Sequence, residues 1–93
     1  MTEQFEKTAR ELQLQVDFAQ RLVHARKMPP HFAENPVEGL MVIVNEVAEL
    51  SQAIIMSEDP RRVYDEALDV CVTAFRLANG EAGFVFKNED KDE

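Results

Sequence analysis

Apolar positions recur at helical spacing through most of the chain. From Thr2 to Lys27 one stripe reads Phe5, Ala9, Leu12, Val16, Ala19 and Val23, at intervals of four and three. A second stripe, Leu14, Phe18, Leu22 and Ala25, lies on nearly the opposite side at 100° per residue. The pattern predicts a long first helix with two apolar faces. A surface helix of a monomer needs one such face, so the second implies that this helix is sandwiched, with another subunit as the natural cover.

Two prolines in Met28-Pro29-Pro30-His31 end this helix and predict a loop through Glu34. Asn35 then stands as an N-cap, with Pro36 at the first helical position and Glu38 completing a capping-box spacing. The second helix runs to about Met56 and is apolar almost all round, which predicts burial. Its β-branched run at 42–44 also suits a strand, but length and caps favour a helix. Asp59-Pro60 repeats the cap-plus-proline signal and opens a third helix to about Ala78, closed by Asn79 and a left-handed Gly80. On that helix Tyr64, Leu68, Cys71, Val72 and Phe75 make an apolar face, and Arg62, Glu66, Asp69, Thr73 and Arg76 a polar one. Residues 81–87 fit a short fourth helix or an extended arm equally well. The fold expected is all-α: an antiparallel bundle of three long helices plus a short C-terminal element, completed by oligomerisation as a homodimer or homotetramer, because three helices in 93 residues bury little core.

Length allows one domain, assigned to residues 1–87, followed by an acidic, solvated and disordered tail at 88–93. The tail carries four acids and one lysine, yet the net charge of −8 leaves −5 on the remainder. That balance argues against nucleic-acid binding, where a basic face is needed. A single cysteine, Cys71, excludes an internal disulfide. No run of 18 apolar residues marks a membrane span, and the first residues do not read as a signal peptide. The expected location is the cytoplasm.

Charge also interrupts the apolar helices in a specific way. Glu46 and Glu49 form one pair, Glu66 and Asp69 another, each at a spacing of three that puts both acids on one helix face. Only 16 residues separate Glu49 from Glu66, so a helical hairpin can bring the pairs to similar height. Four clustered carboxylates repel, and burial sharpens the repulsion, so a cation is the usual answer. Mg²⁺ takes carboxylate oxygens and keeps room for water and substrate phosphates. The alternative is an acidic groove without a ligand, answered by Arg61, Arg62 and Arg76. His24 and His31 have no partner at three or four residues, which disfavours zinc or di-iron; both are expected at the surface or in a loop. Cys71 is expected in the core.

The segment from Asn35 to Leu50 and the run from Glu66 to Asn79 resemble the two motif helices of the all-α nucleoside triphosphate pyrophosphohydrolases. That group includes MazG-like proteins, dimeric dUTPases and dCTP pyrophosphatases. The resemblance covers about half the chain. It implies that Glu46, Glu49, Glu66 and Asp69 hold Mg²⁺, with Mn²⁺ as a substitute, and serve catalysis. It further implies cleavage of a nucleoside triphosphate to a monophosphate and pyrophosphate, in nucleotide-pool housekeeping. Substrate would be met by Arg76, Asn79, Lys87 and His31. Two departures stand out: Asn45 occupies a position where many MazG-like proteins carry a further Glu, and the chain ends soon after the third helix, leaving Lys87 as the clear basic residue there. A catalytically weak nucleotide-binding or protein-interaction module of the same fold is the alternative.

Overall fold

The computed structural model describes residues 2–27, 32–56 and 59–83. Among them are three helices and no strand: α1 (Thr2–Lys27), α2 (Pro36–Ile55) and α3 (Pro60–Ala78). The boundaries follow local chemistry. Asn35 has extended backbone, and its side-chain oxygen accepts from the Glu38 N–H at 3.0 Å. Glu38 returns the contact one residue earlier than a standard capping box, accepting from the Glu34 N–H at 2.9 Å. Asp59 caps α3 through the Arg61 N–H at 3.0 Å.

The C-terminus of α3 ends in a Schellman arrangement. The Glu81 N–H donates to the Arg76 carbonyl and the Gly80 N–H to that of Leu77, with Gly80 at φ 84°. The chain turns rather than starting a fourth helix over 81–83; positions 84–87, like the proposed tail, lie outside the described residues. This turn swings Ala82 into the interior, where it is 1% exposed. There it meets α2 at Gly39, where a side chain would crowd the turn. A Cβ on Gly39 would lie 3.0 Å from Leu77 Cδ1, 3.4 Å from Ala82 Cβ and 3.5 Å from Phe32.

α3 is the central element, packed against α2 along one side and against α1 along another. Two neighbours shift its buried line. Leu68, Val72 and Arg76 are buried, whereas Cys71 and Phe75 of the expected apolar face are exposed. The expectation that Cys71 sits in the core is therefore corrected: the stripe that faces the partners runs between the apolar and polar faces, because α1 and α2 approach from different sides.

The two stripes of α1 part company in the same way. Phe18, Leu22 and Ala25 are half-buried, and the Phe18 ring meets Phe75 edge-on at 5.5 Å between centroids. Phe5, Leu12, Val16 and Val23 are exposed, and residues 2–16 are exposed throughout. α2 also departs from expectation. Only Gly39 and Ala53 are buried, while Val37, Leu40, Val44, Val47 and Ile54 line its outer side. Among the described residues, the apolar side chains buried in a single chain are thus only Ala33, Ala53, Leu68, Val72 and Ala82. Its radius of gyration, 16.0 Å, exceeds the roughly 12 Å of a compact domain of this length.

Candidate metal and phosphate site

The side of α2 turned toward α3 carries Val42, Ile43, Glu46, Glu49, Leu50 and Ala53, all less exposed than the outer stripe. Helical periodicity makes this inevitable: residues 39, 42, 46, 49, 50 and 53 share one face. α3 answers with Glu66 and Asp69. One carboxylate oxygen from each of Glu46, Glu66 and Asp69 lies within 4.8 Å of the other two.

Two of these carboxylates keep an orphaned oxygen. Oε2 of Glu46 and Oε1 of Glu66 are buried and have no hydrogen-bond partner. A buried acceptor without a donor is costly, the more so when its neighbours carry the same charge. Burial, then Glu49, Asp69 and Glu66, pushes the Glu46 carboxyl up to about 7. Burial, with Glu49 and Asp69, also raises that of Glu66. The nearest cation to Glu66 is Arg62, with Nε at 3.9 Å.

Glu49 is not one of the close trio, but its carboxylate reaches that of Glu66. Its Oε2 accepts weakly from the Asn45 amide at 3.5 Å, yet it acts electrostatically on both Glu46 and Glu66. The structure thus brings three of the four predicted acids together and leaves the fourth at their edge.

The donor set suits a hard divalent cation, since it is all carboxylate oxygen and holds two acceptors with no donor to satisfy them. Neighbouring oxygens around an octahedral Mg²⁺ lie about 3 Å apart, so three carboxylates within 4.8 Å of one another must close up to share one ion.

An open cavity of about 660 Å³ adjoins the trio between α1 and the other two helices. Glu46, Asp69, Val72, Thr73 and Arg61 contribute from α2 and α3, and Asp17, Gln20, Arg21, His24 and Ala25 from α1. Its volume falls in the range of small-molecule sites. Arg21 donates from Nη1 to Asp69 Oδ1 at 3.0 Å and from Nη2 to Asp65 Oδ1 at 3.1 Å. Tyr64 donates its hydroxyl to Asp17 at 2.6 Å, which, with the Gln13 amide, holds Asp17 below the usual carboxylate range.

Sequence reasoning missed this α1 wall. The signal was present as a polar line, Asp17, Arg21 and His24, at spacings of four and three beside the stripe Leu14, Phe18, Leu22 and Ala25. His24 is exposed, as expected, but it lines the cavity. The cations expected to answer the acids go mostly elsewhere. Arg61 pairs with Asp65 at 3.3 Å. Arg76, expected to meet substrate, is 5% exposed: its Nε donates to Glu81 at 2.7 Å, Nη1 to the Ala25 carbonyl at 3.4 Å, and its guanidinium covers the Phe32 ring at 4.7 Å. Asn79 also donates to Glu81, at 3.3 Å. These two residues build the end of α3, because the Schellman turn places Glu81 directly over them. His31 and Lys87 lie outside the described residues.

No helix among the described residues is long and apolar enough to cross a membrane. No protein-family model, curated protein or solved structure matches the chain.

Proposed function

We propose that the protein is a Mg²⁺-dependent nucleoside triphosphate pyrophosphohydrolase that yields a nucleoside monophosphate and pyrophosphate. The observation that carries this reading is the trio Glu46, Glu66 and Asp69, with two buried, unpartnered oxygens beside a cavity of nucleotide size. The resemblance of Glu46-x-x-Glu49 and Glu66-x-x-Asp69 to the all-α pyrophosphohydrolases supplies the reaction.

Glu46, Glu66 and Asp69 would hold Mg²⁺ (or Mn²⁺), with Glu49 supporting them from the edge. When bound, the ion supplies charge neutralisation on phosphate oxygens and a water of lowered pKa. The chain's own residues do the rest. Glu49, outside the close trio, is placed to accept a proton as general base. Arg21, Gln20 and His24 of α1 wall the cavity and orient what enters it. On this reading the protein works in the cytoplasm, in housekeeping of the nucleotide pool.

The same reading makes the protein an antiparallel bundle completed as a homodimer or homotetramer. Phe5, Leu12 and Val16 on α1, and Leu40, Val44 and Val47 on α2, are exposed in the single chain. A half-helix of this length without packing is marginal in water, so a second copy is the natural cover for the first half of α1.

The test is pyrophosphate release from a panel of standard and modified nucleoside triphosphates, with and without Mg²⁺. Release that needs Mg²⁺ and is lost in Glu46→Gln and Glu66→Gln is expected. Metal binding without turnover on any nucleotide would favour the binding module, for which the buried Arg76 and its absence from the cavity wall speak.

A further inference from the structure

The acid trio is not equally bare. Glu46 and Glu66 each keep a buried oxygen without a donor, but Asp69 is held at 3.0 Å by Arg21 from a different helix. Arg21 makes three contacts with α3. One goes to Asp69, and two go to Asp65, through Oδ1 at 3.1 Å and the backbone carbonyl at 3.4 Å. Asp65 is outside the trio and is steadied by Arg61 at 3.3 Å. The guanidinium is half-buried and faces the cavity.

This arrangement creates a conflict for any divalent cation. A guanidinium cannot shed its proton, so it stays positive whatever approaches. A metal coordinated by Asp69 would sit beside that charge, and the two draw on the same carboxylate. Asp65 resolves the conflict, because it anchors Arg21 after Asp69 is surrendered. The arginine then remains in the cavity wall with a donor to spare, and planar guanidinium donors match phosphate oxygens.

We propose that Arg21 is the resident counter-ion of the acid cluster: it pairs with Asp69 in the metal-free chain, yields Asp69 to the divalent cation, and offers the freed Nη1 donor to a phosphate oxygen while Asp65 retains it. The proposal deepens the pyrophosphohydrolase reading and rests on it. It makes metal binding a step that exposes a phosphate ligand, so that metal and phosphate favour one another.

The experiment is calorimetric titration of the wild type, Arg21→Gln and Arg62→Gln with Mn²⁺ alone, then of the Mg²⁺-saturated proteins with inorganic pyrophosphate. Removing the competitor should tighten Mn²⁺ binding in Arg21→Gln by roughly two- to fivefold, the scale of a part-exposed ion pair. Arg62→Gln, which loses an equal charge only at the rim of the cluster, should change less. Pyrophosphate binding should weaken about tenfold in Arg21→Gln, the scale of one charge-assisted hydrogen bond, and recover in part in Arg21→Lys. Mn²⁺ affinity in Arg21→Gln equal to or below the wild type, with helicity retained, would overturn the proposal and leave Arg21 as a clamp between α1 and α3. Should that variant unfold, the wild type still decides: the Arg21 side-chain ¹⁵N resonances must move as Mg²⁺ saturates the protein, and unmoved resonances overturn the exchange. A wild type that takes up no Mn²⁺ at all overturns the metal reading itself, and this proposal with it.

Discussion

Glu81 accepts a 2.7 Å hydrogen bond from Nε of Arg76 and thereby neutralises the most buried charge among the described residues. Arg26 donates to the same carboxylate from α1. Glu81 therefore ties α1, the end of α3 and the final turn together. Replacing it by Gln leaves a buried guanidinium without its counter-ion, at a cost of about 2–4 kcal/mol. The bond from Arg26, followed by those from Arg76 and Asn79, prevails over burial and holds the Glu81 carboxyl down to about 2. A depressed carboxylate contributes stability above its unfolded value, near 4.5, and loses it as pH falls toward 2. Chemical denaturation of wild type and Glu81→Gln should therefore differ most at neutral pH and converge between pH 4.5 and 2.

Glu46 carries the opposite sign. Burial and its acidic neighbours favour the protonated form, with a pKa of about 7 against an ordinary 4.5. A raised carboxyl penalises the fold once it ionises, so the metal-free protein loses stability as pH rises from 4.5 through 7. Glu46→Gln should stabilise the chelator-treated protein by about 1–2 kcal/mol at pH 8, after allowance for solvent screening, and by almost nothing below pH 4.5. Thermal melts at the two pH values check this. A variant destabilised at pH 8 would mean that the carboxylate makes a contact worth more than its repulsion.

At Gly39, α2 lies close to Leu77, Ala82 of the final turn and Phe32. A branched side chain there would drive into Leu77 and Ala82. Gly39→Val is expected to cost about 1–3 kcal/mol by overpacking, read from a denaturant midpoint shift at constant slope.

The bare stripe on α2 gives a separate prediction. Val44 and Leu40 are exposed and face away from α3. Val44→Asp should leave the acid cluster intact but turn the proposed oligomer into a monomer, as seen by light scattering. A wild type that runs as a monomer at micromolar concentration would contradict the oligomeric reading.

Much of the fold was legible because its signals are local. Asn35-Pro36 and Asp59-Pro60 open α2 and α3 through side-chain caps, and Asn79-Gly80 closes α3 through its backbone. Glu46, Glu66 and Asp69 were legible because helical spacing fixes their faces. Arg21 and Arg76 were not, since each owes its role to a residue more than one turn away in space or fold. Arg21 depends on α1 crossing α3 at Asp65 and Asp69. Arg76 reads as a polar-face cation until the Schellman turn delivers Glu81 to it. Of α2 only Gly39 and Ala53 are buried, so its uniform apolarity overstated the burial that one chain achieves.

The most direct measurement is ³¹P NMR of a nucleoside triphosphate panel incubated with the protein and Mg²⁺. Cleavage between the α and β phosphorus atoms, giving monophosphate and pyrophosphate signals that vanish with chelator or with Glu66→Gln, is the predicted result. Spectra unchanged for every nucleotide, or inorganic phosphate released from the γ position, would contradict the proposed activity.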